Sequence, residues 1–582
     1  MTGASTRRGE YTRERMFEQL RSAAMSWSLD AAGLVWKWRY ERKLAEAPDE
    51  NEALLLDILR ENANTVFGQA HRFSLIKSPE AWARNVPLRD YEGFRDLVQR
   101  IADGEANVLT AEPVRYLGVT SGTTGRGKLV PVTSSAQRQV IFNMMLTTQG
   151  VVASSLEKRK PGPGLLLMSA VLPQVSKGGI PIGTATAGGL DRMKGMAPLL
   201  WSSPVEVFQV RSHPTAMHLH VLFALARRDL ASLTSPFASS LVDFLRTLEA
   251  DGAALCDELE RGHVPELPGL EPEVRARLHL APDPARAAEV REELALGPSH
   301  LLPRLWPDLG YAMTVVTGSF AVYEDALRRA LGEVPLYSPL YACSEGFLGL
   351  SLDLHGRHYV LDPEAAFFEF IPVELTDEKD PLTVTMRGVK PGRDYELVLT
   401  TRSGLYRYRL GDVVRVEGFR GRSPVVAFLY RRGQLLDVAS EKTSEVAMRE
   451  AVLESVRHWG ASLVEYATAP DYLSAPNRYD VFFELEDPAP VERHGEPWHT
   501  VDAALRLANP GYGVLRSSNR LAPPTVHVVS KGTFRAVLDL LVSQGASPVQ
   551  AKVPRVLSRE DVADLVRSRV LRTWAAPGHL AD

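Results

Sequence analysis

The sequence predicts an α/β protein with a large N-terminal domain of mixed sheets and flanking helices, including a β-barrel-like part, and a smaller C-terminal α/β domain. Three observations support this. Strand-like apolar runs alternate with helical stretches, turn-rich all-β sequence occupies about residues 360–420, and a new α/β pattern follows the polar run at 431–434. The predicted domains cover 1–428 and 438–582, with a hinge at 429–437.

The N-terminal part of the chain is predicted to form helices followed by a strand pair. Residues 12–64 mix apolar side chains with charges and contain no proline before Pro48, which is typical of helices that pack on the main body. A membrane-surface helix is the alternative, but the mixed charges disfavour it. A further helix at 91–101 precedes apolar strands at 114–119 and 129–132.

Apolar periodicity and turn signals predict the elements further along the chain. Residues 213–296 are rich in Ala, Leu, Arg and Glu at helical spacing, so helices are predicted there. Short strands bounded by turn residues are predicted at 313–316, 359–361, 366–371, 397–400 and 413–416. The C-terminal domain is predicted to contain helices at 444–456 and 533–543 and strands near 463–466, 479–484 and 525–529.

Composition and charge limit the classes of function. The 582 residues carry 67 Lys and Arg against 71 Asp and Glu, a net charge of −4, so no basic face for nucleic acid is indicated. The 2 cysteines, Cys256 and Cys343, cannot build a disulfide framework and fit a reducing compartment. No apolar run reaches membrane-spanning length, and no secretory signal is apparent. We therefore expect a soluble cytoplasmic protein without nucleic-acid or membrane partners.

The first segment that can carry chemistry is rich in hydroxyls and glycines and lies between two predicted strands. Its residues are Thr120, Ser121, Gly122, Thr123, Thr124 and Gly125, with Lys128 close behind. Glycines let the backbone approach a polyanion, hydroxyls and N–H groups surround its oxygens, and a lysine balances charge. The ending of a Walker A loop is missing. A surface turn is the alternative, but the position between strands favours a crevice at a sheet end.

The second segment joins an aromatic residue, small residues and an acid. It reads Tyr341, Ala342, Cys343, Ser344, Glu345 and Gly346. A carboxylate here can hold a divalent cation next to a phosphate, while the tyrosine ring stacks on a base. Taken alone, Glu345 is more often a helix-start carboxylate or a surface charge.

The third segment alternates tyrosine with arginine. It reads Gly404, Leu405, Tyr406, Arg407, Tyr408, Arg409, Leu410, Gly411 and Asp412. The alternation has the period of a strand, which is predicted to end in the Gly-Asp turn. Asp412 can accept hydrogen bonds from both hydroxyls of a ribose, although an aspartate that closes a hairpin is the simpler alternative.

Two other patterns do not predict a site. His213, His218 and His220 do not share one helix face, and no ligand partner lies nearby at metal-binding spacing, so no metal site is predicted there. The Gly-x-Ser-x-Gly pattern of a hydrolase elbow is not found around the candidate serines.

The three segments together resemble the nucleotide motifs of the Gretchen Hagen family of acyl acid amido synthetases, within the superfamily of adenylate-forming enzymes. In that family the motifs read approximately Ser-Ser-Gly-Thr-Ser/Thr, Tyr-Ala-Ser-Ser-Glu-Gly and Tyr-Arg-Tyr-Arg-x-Gly-Asp. The resemblance includes residues 368–372, 531–534, 543–547 and 552–555, and spans roughly residues 60–560.

Two substitutions depart from the family pattern. Thr120 replaces the first serine of the first motif and keeps a hydroxyl. Cys343 replaces a serine of the second motif and is a weaker hydrogen-bond partner. Neither change excludes activity.

The resemblance implies a two-step ligase reaction that uses ATP and Mg²⁺. A carboxylic acid attacks the α-phosphate of ATP to give an acyl-adenylate and pyrophosphate; an amine, usually of an amino acid, then attacks the carbonyl and AMP leaves. Catalysis would depend on positioning and on offsetting phosphate charge. In this superfamily the small C-terminal domain swings between the half-reactions, so it is expected to be mobile here, with residues 431–434 in the hinge.

The resemblance also implies the nucleotide-binding residues. The hydroxyls of the first segment would contact the phosphates with Lys128 as charge support, Tyr341 would lie along the adenine, and Asp412 would bind the ribose. The full predicted set is Thr120, Ser121, Gly122, Thr123, Thr124, Lys128, Tyr341, Ser344 and Asp412.

Three residues are implied in catalysis. Glu345 would hold Mg²⁺ against the α-phosphate. Lys442, just after the hinge, could reach the phosphate in one domain orientation, and Lys552 would serve the same purpose from the mobile domain. A lone lysine is usually a solvated surface residue, so these two assignments rest on the resemblance.

Two alternative functions stay open. An acyl-CoA ligase would share the first half-reaction, but its Tyr-Gly-x-Thr-Glu type of second motif and its Gly-Lys near the C-terminus are not found. A catalytically silent nucleotide-binding relative is disfavoured because Glu345, Asp412 and the hydroxyl-rich first segment are all retained.

The acid and the amine are not identified by the sequence. Helices of the N-terminal half and residues 179–189 are expected to line the acid pocket, with Thr317, Gly318 and Ser319 at its border and Phe320 as an apolar wall. Such pockets are mostly apolar, so a hydrophobic or aromatic acid is expected.

Overall fold

A computed structural model of the chain describes most of its residues. The described residues are 3–119, 128–156, 159–169, 174–183, 195, 197–432, 443–472, 474, 476–544, 546 and 551–576, with side chains from residue 20 onward except 140, 141 and 319. The chain divides into two compact units. The described residues of Met1–Thr120, Lys128–Leu410 and Arg415–Ala427 form the first, and those of Gly411–Val414 and Phe428–Asp582 belong to the second.

Helices make up most of the first unit outside its sheets. The α-helices are Gly3–Leu44, Ala47–Glu61, Val66–Ala70, Pro79–Asn85, Glu92–Ala102, Ser134–Gln139, Thr147–Ser155, Ala197–Leu200, His213–Leu225, Ala238–Arg261, Pro272–Arg275, Pro284–Ala295, Leu301–Leu305 and Glu324–Leu331, with a π-helix at Val140–Leu146. The helices predicted at 12–64 and 91–101 are confirmed. In the described ranges, none of the helices combines the length and apolarity needed to cross a membrane.

Within the described residues the strands form four sheets. The strands are β1 (Val114–Val119), β2 (Leu129–Thr133), β3 (Gly164–Leu166), β4 (Gln174–Val175), β5 (Pro181–Gly183), β6 (Ser232–Phe237), β7 (Tyr311–Val315), β8 (Leu336–Tyr337), β9 (Leu340–Cys343), β10 (Gly346–Leu350), β11 (Tyr359–Leu361), β12 (Phe367–Pro372), β13 (Val384–Thr385), β14 (Asp394–Thr400), β15 (Tyr408–Arg420), β16 (Ser423–Arg431), β17 (Leu463–Asp471), β18 (Arg478–Leu485), β19 (Thr525–Val529) and β20 (Val570–Trp574). Their orders are β2-β1-β5-β4, β3-β6-β7-β8, β13-β12-β14-β15-β16-β11-β10-β9 and β17-β18-β19-β20.

The turn-rich segment predicted to be barrel-like lies in the eight-stranded sheet. Strands β11 to β16 occupy six of its eight positions, and the antiparallel hairpin of β9 and β10 completes one side. In the described part of the chain this sheet has β13 and β9 at its edges and does not close into a barrel. The sheet therefore carries the second sequence segment on the β9–β10 hairpin and the end of the third segment, from Tyr408 onward, on β15.

The parallel sheet β3-β6-β7-β8 builds an extensive apolar core of the first unit. Leu233 on β6, Ala312 on β7 and Trp306 before it are fully buried against the helix Ala238–Arg261. The sequence predicted helix throughout 213–296, and β6 shows that this was wrong at Ser232–Phe237. A strand between two others is held by its neighbours, so tertiary pairing overrides a local pattern that contains serine, threonine and proline.

The C-terminal elements of the second unit agree with the sequence patterns. Its helices are Glu445–Trp459, Ala489–Glu492, Pro497–Ala508, Pro510–Ser517, Thr533–Ser543 and Glu560–Arg567. β18 and β19 are parallel, while β17 and β20 pair antiparallel with them at the edges. The predicted domain boundaries stay predictions. In the proposed hinge, β16 continues to Arg431, and residues 433–437 lie outside the described residues.

Buried histidines on the helix His213–Leu225 make the stability of the first unit depend on pH. Burial opposes protonation of His218, but hydrogen bonds to Glu258 (Nε2 to Oε2, 2.9 Å) and Asp251 (Nδ1 to Oδ2, 3.1 Å) outweigh it and raise the pKa. His220 is bonded to the Ser203 hydroxyl, and burial lowers its pKa to about 3.

Replacing His218 with glutamine is expected to lower stability at acidic pH by about 1.5 kcal/mol, because charge-assisted hydrogen bonds are lost. A raised folded pKa gives stability that is complete below about pH 6.5, the unfolded value, and that disappears as pH rises through the folded pKa. The deficit of the variant should therefore shrink at alkaline pH. Thermal melts from pH 5 to 9 measure this, with the exposed His355→Gln as the control. A deficit of constant size at every pH would contradict the assignment.

Candidate active site

The structure places the predicted site residues in three groups. Thr120, Ser121, Gly122, Thr123, Thr124 and Lys442 lie outside the described residues. Lys128, Tyr341, Ser344 and Glu345 lie in the first unit, and Asp412 and Lys552 lie in the second. The geometry of each unit is therefore given separately.

The second sequence segment forms a tight hairpin. β9 and β10 pair antiparallel with Cys343 opposite Gly346, so Ser344 and Glu345 form a two-residue turn. The Cys343 thiol donates to the carbonyl of Gly346 at 3.5 Å, and this contact lies inside the hairpin. Cys343, which replaces the serine of the family motif, thus bonds through its thiol to the backbone of the same hairpin. Ser344 is half-buried at the turn.

Glu345 is buried although it lies in a turn. Glu345 is only 8% exposed. Its Oε1 accepts a hydrogen bond from the Tyr408 hydroxyl at 2.9 Å. The Tyr408 ring is held edge-on by Phe94, with centroids 6.2 Å apart. Among the described residues, no further hydrogen bond reaches the Glu345 carboxylate. Its second oxygen is therefore available to a hard cation such as Mg²⁺, which prefers oxygen ligands.

Lys128 is positioned by Tyr91. The ammonium lies 5.4 Å from the centroid of the Tyr91 ring, within the range of a cation–π contact. The Tyr91 hydroxyl accepts from the backbone N–H of Leu129 at 2.7 Å and donates to its carbonyl at 2.9 Å. Burial raises the pKa of Tyr91, and the charges of Glu92 and Glu345 add to the shift. Tyr91 directly precedes the helix Glu92–Ala102, whose Phe94 contacts the ring of Tyr408, the residue that bonds Glu345, so Lys128 and the acidic turn lie in one region of the first unit.

Tyr341 links the hairpin to the segment predicted to border the acid pocket. Its buried ring lies 5.8 Å from the ring of Tyr359, centroid to centroid. The Tyr359 hydroxyl is within 3.1 Å of the hydroxyls of both Thr317 and Ser338. A chain of contacts therefore connects the predicted adenine residue with Thr317, three residues before Phe320.

The arginine and the first tyrosine of the third segment have structural roles. Arg407 is 3% exposed and adopts a positive φ of 48°; its guanidinium bonds to Glu369 at 2.9 and 3.1 Å and to the carbonyl of Val86 at 2.7 Å. Tyr406 stacks on Phe67 with centroids 4.8 Å apart. The predicted strand ending in a Gly-Asp turn is wrong, since β15 begins at Tyr408 and continues to Arg420. The left-handed Arg407 breaks the alternation that suggested a strand.

In the second unit, Asp412 and Lys552 lie in one charged cluster. Asp412 is 2% exposed, and its Oδ1 accepts from Arg431 Nε at 2.5 Å. Burial lowers the pKa of Lys552, and Arg431 acts in the same direction, whereas Glu445 and Asp412 oppose it. The two predicted residues therefore act on each other electrostatically.

Sequence reasoning did not identify Tyr91, Tyr359 or Arg431 as parts of these groups. The contact of Tyr91 with Leu129 joins residues 38 positions apart, that of Tyr359 with Tyr341 residues 18 apart, and that of Arg431 with Asp412 residues 19 apart. No local pattern marks them. The tyrosine that begins the 91–101 helix offers only a weak signal.

The chain matches three domains of one family. The GH3 family N-terminal domain matches residues 38–336, the GH3 family central domain matches 359–431, and the GH3 family C-terminal domain matches 446–561. The first of these alone covers more than half of the chain.

Individual relatives agree with this match. Probable indole-3-acetic acid-amido synthetase GH3.1 of Oryza sativa subsp. japonica is 31% identical over 574 residues, which cover 92% of this chain and 92% of that protein. Indole-3-acetic acid-amido synthetase GH3.8 of Oryza sativa subsp. indica is 30% identical and covers 94% of each chain. The solved structure of AtGH3.15 acyl acid amido synthetase in complex with 2,4-DB is 26% identical, with a TM-score of 0.84 over 95% of this chain and 98% of that chain.

Fold, motifs and relatives define a ligase that forms amide bonds through an acyl-adenylate. The chain belongs to the GH3 family, the Gretchen Hagen family that its three sequence segments resemble. It is therefore an ATP-dependent acyl acid amido synthetase.

Proposed function

We propose that this enzyme uses ATP and Mg²⁺ to activate an apolar, aromatic carboxylic acid and transfers the acyl group to an amino acid in the cytoplasm. The observation that carries the proposal is the 2.9 Å hydrogen bond from Tyr408 to Glu345, because it joins the second and third motifs around one carboxylate. A carboxylate held at one oxygen and open at the other could hold Mg²⁺, which would offset the charge of the phosphates.

The acid is proposed to lie beside Phe320. The rings of Phe320 and Phe237 are 5.3 Å apart and half-buried, which gives an apolar aromatic wall. Thr317 and Tyr359 connect this wall to Tyr341, the residue proposed to lie along the adenine. An acid held here would present its carboxylate toward the nucleotide. Two relatives are named for indole-3-acetic acid, and the AtGH3.15 structure contains 2,4-DB, which also favours an aromatic acid.

The chain's own residues would offset the charge of the phosphates and hold the nucleotide in place. Lys128 is proposed to neutralise phosphate charge from the position fixed by Tyr91. The hydroxyls of the first segment are proposed to contact the phosphates. Asp412 is proposed to bind the ribose hydroxyls. Lys442 and Lys552 are proposed to act on the phosphate from the second unit. A lowered pKa suits a lysine that exchanges partners during a reaction, since its charge is poorly solvated.

The test uses the full chain with ATP, Mg²⁺, a panel of aromatic and aliphatic acids, and either the twenty amino acids or coenzyme A. We expect pyrophosphate exchange with an aromatic acid and a product mass equal to that of an acid–amino acid amide. Formation of a thioester without any amide would instead support the acyl-CoA ligase. Exchange with none of the acids would support a catalytically silent relative.

Replacing Tyr408 with phenylalanine is expected to lower acid-dependent pyrophosphate exchange about 10-fold, the effect of one lost hydrogen bond to a charged group. The Mg²⁺ concentration for half-maximal exchange should rise, because the carboxylate loses its orientation. Tyr395→Phe is the matched control, since its hydroxyl accepts from the backbone of Lys390 elsewhere in the sheet. An unchanged Mg²⁺ dependence would show that Tyr408 does not position a metal ligand.

A further inference from the structure

The long N-terminal helix Gly3–Leu44 exposes a row of apolar side chains. Its large members are between 45% and 63% exposed, and its two alanines are exposed as well. The row consists of Leu20, Ala24, Trp27, Ala31, Leu34 and Trp38. In the described part of the chain, two tryptophans and two leucines of this face each keep about half of their surface exposed, and the Arg42 guanidinium lies 4.9 Å from the centroid of the Trp38 ring. We call this row the N-terminal seam.

The spacing of the N-terminal seam is that of a coiled coil. Successive members are separated by four, three, four, three and four residues. This alternation averages 3.5 residues and gives the narrow a/d stripe with which one helix packs against another. A helix that lies on a membrane surface has a wider apolar face. The pattern therefore favours a helical partner over a lipid surface.

The opposite face of the same helix is already packed within the chain. Ser22, Ser26 and Leu44 are buried, and Gly33 crosses Gly150 of the helix Thr147–Ser155. A Cβ atom at Gly150 would come within 2.2 Å of the Gly33 carbonyl oxygen, so the two backbones are in close contact. The N-terminal seam is thus held facing outward by a rigid crossing on its other side.

The seam lies almost entirely outside the matched family domains. The GH3 family N-terminal domain matches from residue 38 onward, whereas five of the six seam members precede that residue. None of the residues assigned to the candidate active site belongs to the seam. Its conspicuous apolar surface calls for a separate explanation.

We propose that the N-terminal seam is the interface of a homodimer in which this helix packs antiparallel against the same helix of a second copy. A two-fold axis beside residue 29 brings each end of the seam to the opposite end of its partner. The opposed pairs are then Leu20 with Trp38, Ala24 with Leu34 and Trp27 with Ala31. If Ala24, Ala31 and Trp38 are heptad a positions, Leu20, Trp27 and Leu34 are d positions, and an a position faces a d position in every pair. Each alanine then packs against a large side chain of the partner helix.

Side-chain volumes distinguish this arrangement from a parallel one. A parallel, in-register pair would place tryptophan on tryptophan and alanine on alanine, which leaves alternating clashes and voids. The antiparallel pair instead places a large residue against an alanine in all of its inner layers and Leu20 against Trp38 at its two ends. The seam is therefore complementary to itself in one orientation, which is the property that a second copy requires.

The exposed area of the two tryptophans supplies about half of what a small specific dimer needs. At 63% and 55% exposure, Trp27 and Trp38 present roughly 300 Å² per copy, if a tryptophan carries about 250 Å². Two copies thus contribute about 600 Å², half of the approximately 1,200 Å² of a small specific interface. The remaining seam residues and the exposed Val35 beside them supply further area.

Sedimentation equilibrium of the full chain tests the proposal. We expect a mass of twice 64.2 kDa at about 20 µM and a monomer for the double variant Trp27→Glu/Trp38→Glu, with the thermal melt unchanged. Leu382→Glu and Leu507→Glu are matched controls, because both leucines are more than 75% exposed away from the seam, and both variants should stay dimeric. A monomeric parent chain, or a dimer that survives the double substitution, would overturn the proposal.

Cysteine cross-linking tests the orientation. A mixture of Ala24→Cys and Leu34→Cys chains should cross-link to each other under mild oxidation, while Ala24→Cys alone should not exceed the parent chain, which keeps its own two cysteines. Self-linking of Ala24→Cys would indicate a parallel pair and contradict the register. A monomer that binds vesicles of phosphatidylcholine and phosphatidylserine through the seam would assign the surface to a membrane and overturn the dimer.

Discussion

Replacement of Glu345 by alanine is expected to lower acid-dependent pyrophosphate exchange by roughly 10²–10³-fold, as for loss of one preorganised group that stabilises developing charge. Glu345 is buried, it is oriented by Tyr408, and its second oxygen is open in the described structure. Removal of the carboxylate would remove a proposed ligand of Mg²⁺, so the rate of the adenylation step should decrease.

The comparison with Glu345→Gln separates charge from shape. The amide keeps an acceptor for the Tyr408 hydroxyl but carries no charge, so the enzyme should fold normally and require more Mg²⁺. Glu378→Gln, at an exposed position of the same unit, is the control for a change of net charge. If Glu345→Gln exchanges pyrophosphate at the parent rate with the same Mg²⁺ dependence, the carboxylate is not a metal ligand.

Replacement of Arg407 by methionine is expected to destabilise the first unit by about 3–5 kcal/mol, because it leaves the Glu369 carboxylate buried and unpaired. Both side chains are less than 5% exposed, and Arg407 also bonds to the carbonyls of Ala83 and Val86. The measurement is the midpoint of thermal or urea unfolding, followed by a probe of the first unit, since two units need not unfold together.

Two further variants give this prediction its control. The double variant Arg407→Met/Glu369→Gln removes both charges and should recover part of the lost stability. Arg393→Met breaks an ion pair with Glu374 in which both side chains are 50% exposed, and the expected cost is below about 1 kcal/mol. If Arg407→Met and Arg393→Met lower the free energy of unfolding by the same amount, the structural role assigned to Arg407 is contradicted.

Elements that depend on local pattern could be predicted from the sequence. β1 and β19 have the predicted bounds because each is a short, mostly apolar run preceded by proline, interrupted only by Arg115 in β1 and by His527 in β19. The helix Thr533–Ser543 also begins and ends as predicted. β6 could not be predicted, since its serine, threonine and proline residues form a strand only between two neighbouring strands.

In the candidate site, too, the residues in local motifs could be predicted, whereas the contacts between distant residues could not. The sequence identifies Glu345 and Asp412 because their motifs are local runs of residues. It gives no sign that Tyr408 orients Glu345, since these residues are 63 positions apart. It also suggests that Arg407 continues a strand, whereas the buried ion pair with Glu369 holds this residue at a positive φ. Long-range polar contacts of this kind leave no periodic signature.

The central claim is that the carboxyl group is activated at the α-phosphate of ATP. It is tested most directly by running the complete amide-forming reaction with an acid labelled with ¹⁸O in both carboxylate oxygens. If an acyl-adenylate forms, one labelled oxygen should leave with AMP, and the inorganic products should stay unlabelled. Label in inorganic phosphate with ADP as the nucleotide product would show activation at the γ-phosphate and contradict the account.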